Sequence, residues 1–205
     1  MAKIETVKQL RAVYRLPSER ARRKQLSTLD AHCRRFIALS PFVVLASSGP
    51  DGADATPRGG ERGFVRVQDA QTLLLPDWPG NNRLDALTNI LGNPDVGLLF
   101  FIPGVKETLR VGGTAQIHAD EELLESFRAG SKLPLTVLVV RVQKAYLHCA
   151  KAFLRSAFWD EGAKLDRSVL PMASEILGDQ LNSAGMAVSP ESQEAMEQRY
   201  KKNLY

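Results

Sequence analysis

The chain has 205 residues, 44% hydrophobic and 24% charged, an ordinary composition for a globular protein with room for one domain and a sizeable core. No apolar run approaches the roughly 18 residues that cross a bilayer, and Met1-Ala2-Lys3-Ile4-Glu5 lacks the basic start and apolar centre of a signal peptide. A cytoplasmic protein with two reduced thiols, Cys33 and Cys149, is therefore expected. The net charge of +4 is concentrated early, in Arg11, Arg15, Arg20, Arg22, Arg23, Lys24, Arg34 and Arg35. No interleaved aromatics or nucleic-acid motif accompany this run, so it reads as the solvated face of helices, with neither a nucleic-acid nor a membrane partner.

In chain order, residues 3–15 and 18–39 read as helices; in the second, Leu29, Cys33, Phe36 and Ile37 recur at helical spacing behind Ser27-Thr28-Leu29-Asp30. Ser40-Pro41 ends it. The β-branched run from Phe42 to Ser48 turns at Gly49-Pro50-Asp51-Gly52 into residues 53–58, a hairpin whose second strand is small and polar enough to keep an open backbone edge. A second hairpin joins Phe64–Val67 to Thr72–Leu75. The chain then passes through Pro76-Asp77-Trp78-Pro79-Gly80-Asn81-Asn82-Arg83 into a helix whose buried side is predicted as Leu84, Leu87 and Leu91. Strands follow at 96–102 and 108–119, the latter interrupted by Gly112-Gly113, where missing Cβ atoms invite a bulge or a planar ligand. A short helix capped by Asp120, strands at 135–142 and 144–149, and a helix within 150–159 complete the pattern. Beyond Gly162 the signal weakens into a tail, except that Ser189-Pro190-Glu191 looks like a helix start. Many short strands joined by turns, with two internal helices, predict a mainly β (α+β) fold: a small antiparallel barrel rather than alternating parallel units.

The residues exclude more chemistry than they offer. There is no Gly-x-Ser-x-Gly elbow, no phosphate-loop or dinucleotide fingerprint, and no histidine–cysteine spacing suited to a metal. What stands out is the Pro/Gly/Asn corner after residue 75. The helix is expected to start with Arg83 in its first turn, where the macrodipole favours an anion, and backbone N–H groups, the amides of Asn81 and Asn82 and one guanidinium would together suit a phosphate. Further nitrogen donors are scattered at Arg58, Arg110, Lys151 and Arg155, an arrangement suited to a long ligand with one anionic and one flat end, such as flavin mononucleotide (FMN).

The order Phe42-Val43-Val44-Leu45-Ala46-Ser47, Asp51-Gly52, Thr56-Pro57-Arg58-Gly59, Leu73 to Asp77, Asn82-Arg83, Asn93-Pro94-Asp95-Val96-Gly97-Leu98-Leu99-Phe100 and Leu109-Arg110-Val111-Gly112-Gly113-Thr114-Ala115 resembles the FMN-binding split barrel of the pyridoxamine 5′-phosphate oxidase superfamily over residues 40–155. It is most similar to oxidase-related proteins with a Pro-Gly-Asn-Asn-Arg turn. The chain is expected to be a single domain over 1–205 (N-terminal helices 1–40, antiparallel split β-barrel 41–160, C-terminal arm 161–205), although the N-terminal helices and the tail have no simple equivalent in the family, and the resemblance implies a homodimer with FMN at the interface. It also implies that Thr56, Pro57 and Arg58 line the flavin ring, with Pro76, Asp77, Asn82 and Arg83 along the ribityl phosphate. Thr108 and Arg110 would approach from a facing strand or subunit, and Lys151, Arg155 and Trp159 would belong to a closing C-terminal segment. The oxidase's C-terminal Arg-x-His pair has no counterpart after Ala145, which argues against pyridoxamine phosphate as substrate. The implied activity is an FMN-dependent oxidoreductase with an unassigned small-molecule substrate and no assigned catalytic residue. A deazaflavin-dependent reductase of the same fold, or a non-catalytic flavin or haem carrier or sensor, remains the alternative.

Overall fold

The computed structural model describes residues 3–187, 191–202 and 204. Seven strands, β1 (Phe42–Gly49), β2 (Gly52–Gly59), β3 (Arg66–Val67), β4 (Thr72–Asp77), β5 (Asp95–Phe101), β6 (Thr108–His118) and β7 (Thr136–His148), form one sheet in the order β2-β1-β5-β6-β7-β4-β3. Every neighbouring pair is antiparallel. The sheet closes around one core: Val43, Leu45, Leu73, Leu75, Leu98, Phe100, Leu109, Val111, Val140 and Val142 alternate inward from five strands and join a single buried cluster. This is the antiparallel split barrel with flanking helices that the sequence predicts. β2 is the terminal strand and pairs with β1 alone, as its small, polar composition requires.

Helices α3 (Ala31–Leu39) and α4 (Asp85–Gly92) plug the core. The Asp30 carboxylate caps α3 by accepting from the Cys33 N–H at 2.7 Å, and Leu29, Cys33 and Ile37 face inward at helical spacing. The helix predicted over 18–39 is in fact two, α2 (Glu19–Arg23) and α3, preceded by α1 (Val7–Val13). Between them the backbone of Leu26 exchanges both hydrogen bonds with Ala145 of β7, and the Leu29 N–H donates to the Ala70 carbonyl, so tertiary pairing takes the groups that a continuous helix would use.

The buried side of α4 is Ala86, Leu87 and Ile90; Leu84 and Leu91 are exposed. The reason is a shifted start: Leu84 is the N-cap, with φ +59°, and the first helical residue is Asp85. The strand expected at 64–67 shrinks to Arg66–Val67. Strands expected at 135–142 and 144–149 are one, β7. The boundary drawn at Gln143 is a bulge: Gly112 pairs with Lys144 and Gly113 with Val142, leaving Gln143 without an opposite residue. Gly113 is obligatory there, because an added Cβ would lie 1.9 Å from the Arg141 carbonyl oxygen.

On the outer face of β4 and β7, α5 (Glu121–Ser126) adds Leu123, Leu124 and Phe127 against Leu74 and Val137. The Asp120 carboxylate does not cap it and lies instead 3.1 Å from His118 Nδ1. After α6 (Lys151–Ser156), the tail holds two further helices, α7 (Ala173–Ser183) and α8 (Gln193–Lys202). Of the expected start Ser189-Pro190-Glu191, Ser189 and Pro190 lie outside the described residues; Ser192 Oγ accepts from the Ala195 N–H at the beginning of α8. Cys33 is buried and Cys149 exposed, both as free thiols, and no described helix is long and apolar enough to cross a membrane.

The bulge yields a contrast between neighbouring glycines. Gly113→Ala should cost about 3 kcal/mol or more in urea unfolding, since its Cβ meets backbone, whereas Gly112→Ala, whose Cβ meets only the flexible Lys144 side chain, should cost about 1 kcal/mol or less.

Candidate functional site

The predicted site residues fall into two separate concavities. The first, a cleft of about 390 Å³, lies between β2 and the end of β4. Strand alternation turns Asp54, Thr56 and Arg58 to one side of β2, and the Arg58 Nη2 reaches Asp77 of β4 at 3.2 Å. Arg58 Nη1 also donates to Thr56 Oγ1 at 2.9 Å, while Arg58 Nε is buried with no partner. Burial raises the pKa of Asp77 above the ordinary carboxylate range, and the Arg58 charge only partly opposes it. Thr56, Pro57, Arg58, Pro76, Asp77, Asn81, Asn82 and Arg83 all line this one cleft, so the structure brings together the ring-facing and phosphate-facing groups named from the sequence.

At the corner itself the geometry departs from the expectation. Arg83 precedes the N-cap, and the first turn of α4 carries the acid Asp85. The Arg83 N–H is already spent on Asn81 Oδ1 at 3.1 Å, an Asx turn, and Asn82 stands at φ +58°. Arg83 Nε donates to Asp85 Oδ2 at 2.8 Å, and Asp85, then Asp54, raise the guanidinium pKa. The cation is thus oriented by a carboxylate through Nε.

The second concavity, of about 630 Å³, covers the outer face of β1, β5, β6 and β7. Cross-strand register fixes its layout. Val44, Leu99, Arg110 and Tyr146 form one row, and Ala46, Gly97, Gly112 and Lys144 the next. The floor is therefore flat and apolar on β1 and β5, and cationic on β6 and β7. Arg110 sits 5.3 Å and Lys24 5.1 Å from the Tyr146 ring centre, and burial, then Arg110 and Lys24, depress the His148 pKa. Thr108 and Arg110 line this cavity, not the β2–β4 cleft. Lys144, Tyr146 and His148 were not named from the sequence, although Lys-x-Tyr-x-His on a strand puts all three on one face.

Lys151 and Arg155 are exposed on α6 and line neither concavity. Trp159 is half-buried: its ring stacks on Phe153 at 5.7 Å and its indole N–H donates to the Val105 carbonyl at 2.9 Å. Phe153 in turn packs edge-on against Phe101, and both line the second cavity, so Trp159 supports its wall from behind.

Because Asp77 ionises against a burial penalty that Arg58 offsets, Arg58→Ala raises the Asp77 pKa further. Raised carboxylate pKa values favour the fold below the unfolded value and lose that advantage as pH rises, so the cost of Arg58→Ala should be about 1–3 kcal/mol at pH 7 and should shrink towards pH 4. Urea unfolding at the two pH values measures it; a cost independent of pH would place the loss in packing instead.

Comparison with known proteins gives the same direction. The sequence model of pyridoxamine 5′-phosphate oxidase matches residues 29–149, more than half of the chain. No curated protein matches. Similar solved structures include HupZ of Group A Streptococcus (17% identity, 58% of this chain and 92% of that one, TM-score 0.48). Others are General Stress Protein 26 of Bacillus anthracis (20%, 57% and 93%, 0.42) and an FMN-binding protein of Syntrophomonas wolfei (12%, 57% and 83%, 0.45). These likenesses are too distant to carry function, but the family match spans the strands, the β2–β4 cleft and the corner at Arg83, and the chain belongs to the pyridoxamine 5′-phosphate oxidase family.

Proposed function

We propose that the chain is an FMN-binding flavoprotein, a homodimeric oxidoreductase acting on a small molecule. The observation that carries this reading is the single cleft that Arg58 and Arg83 line together with small, polar and amide-bearing residues. The donor set fits the cofactor. Arg58 has a buried Nε with no protein partner, β2 leaves one row of backbone N–H and C=O groups unpaired along its outer edge, and Arg83 is pre-oriented by Asp85. Asn81, Asn82 and Arg83 would hold the phosphate, Pro76 and Asp77 would border the ribityl chain, and Thr56, Pro57 and Arg58 would border the ring. Bound flavin would supply two-electron or stepwise one-electron exchange. Arg58 is placed to favour negative charge on the ring side, and Asp77 holds Arg58 in that position.

A second copy is part of the reading. Thr108 and Arg110 face a cavity distinct from the cleft, so both sets meet one ligand only if another protomer supplies the second. The half-exposed apolar patch of Val44, Leu99, Phe101 and Phe42 on the outer face of β1 and β5 suits such a contact. Lys151, Arg155 and Trp159 would belong to the segment that closes over the assembled site, with Trp159 acting through Phe153.

The test is the absorbance spectrum and mass of the small molecule that co-purifies. FMN gives paired visible bands, a deazaflavin or haem gives other spectra, and a protein that leaves the FMN spectrum unchanged at saturation would sink the reading. Bleaching by NADH or NADPH in stopped flow separates an oxidoreductase from a carrier or sensor. Arg83→Ala should weaken FMN binding by about 1.5–3 kcal/mol, roughly 10- to 150-fold, in fluorescence titration.

A further inference from the structure

The basic N-terminal run finds no use in the cleft. Residues 3–24 hold eight Lys and Arg against two Glu, net +6, so the remainder of the chain is net −2. In the structure α1 and α2 bury no residue at all, and every residue from 3 to 25 is exposed. Yet this arm is not a polar tether. Val7, Leu10 and Val13 recur at three-residue spacing along α1, with Val7 73% and Val13 68% exposed, while Lys8 and Arg11 lie beside them; Ile4 and Tyr14 flank the helix on either side. A capping box at Thr6 and Gln9 fixes where α1 begins. A short amphipathic helix whose apolar side stays exposed in its own chain is half of an interface.

The complementary half is at the other end. Residues 160–202 hold eight Asp and Glu against five Lys and Arg, net −3. There α7 turns Ser174 and Gly178 inward, where α8 adds the buried Met196, and leaves Met172, Ile176 and Leu177 exposed on its other side, beside Asp179. Both arms thus present exposed apolar side chains, on segments of opposite net charge.

We propose that the N-terminal arm of one protomer seats the Val7–Leu10–Val13 side of α1 on the exposed Met172, Ile176 and Leu177 of a second copy's C-terminal arm, with the net positive charge of the one arm steering it to the net negative charge of the other. The occupant is a second copy of this chain because the charge complement is on the chain itself, and because two reciprocal seats close a two-fold dimer and leave no open edge. The contact shares the second copy with the flavin reading but needs no cofactor.

Sedimentation equilibrium of the full chain at low salt, with and without FMN, tests it. Arg11→Glu with Arg15→Glu, and separately Asp179→Lys with Glu194→Lys, should each raise the dimer dissociation constant about tenfold, and high salt should narrow the difference. All four changes together should restore it. None of these side chains is in the core, so circular dichroism should be unchanged. Dissociation constants unaffected by either pair, failure of the combined variant to recover, or loss of anionic-vesicle binding with dimerisation intact would overturn the proposal. A wild-type dimer that binds no flavin would remove the cofactor reading and leave the arm exchange standing; a flavin-loaded dimer indifferent to the arm charges would do the reverse.

Discussion

Strands β6 and β7 pair over almost their whole length, from Thr108–His148 to His118–Val137, and this ladder is what joins the two halves of the sheet. On its β6 side hang β5, β1 and β2; on its β7 side hang β4 and β3. A ladder this long accumulates twist, and the extra residue Gln143 opposite Gly112 and Gly113 sharpens it locally. The Arg141 carbonyl lies against the Cα of Gly113, so a side chain there is incompatible with the close pairing on both sides of the bulge. The curl that results lets the inner faces of five strands share one core and brings β2 and β4, remote in strand order, to opposite walls of one cleft.

The Arg58–Asp77 pair spans that cleft, linking the terminal strand β2 to the end of β4. Its electrostatics carry a cost. The carboxylate is buried enough that its pKa rises despite the guanidinium 3.2 Å away, and the guanidinium keeps an unpartnered Nε. Arg83 is held by Asp85, against a helix dipole that disfavours a cation there. The acid occupies the first turn, where an anion is favoured, and so orients the cation and weakens its field together.

The outer sheet face has the opposite character. Its rows run from aliphatic and small residues on β1 and β5 to Arg110, Lys144 and Tyr146 on β6 and β7, with the Phe101–Phe153–Trp159 stack as a wall. One chain therefore carries two concavities of different character, and both arms expose apolar side chains.

The sequence by itself determined the strands, their turns and the place of the corner, because period-two alternation, Gly/Pro/Asn turns and the Asp30 cap are local chemistry. It also carried the order of segments that marks the family, and the residues of the β2–β4 cleft. It did not determine that 18–39 breaks at Leu26, that Gln143 is a bulge rather than a strand end, that α4 starts past Leu84, or that Thr108 and Arg110 stand apart from Arg58. Each of those turns on which distant backbone groups pair: Leu26 with Ala145, Gly113 with Val142, Leu99 with Arg110. Such pairings satisfy hydrogen bonds between residues tens of positions apart, and no local pattern encodes them, so only the closed sheet could settle which side chains share a surface.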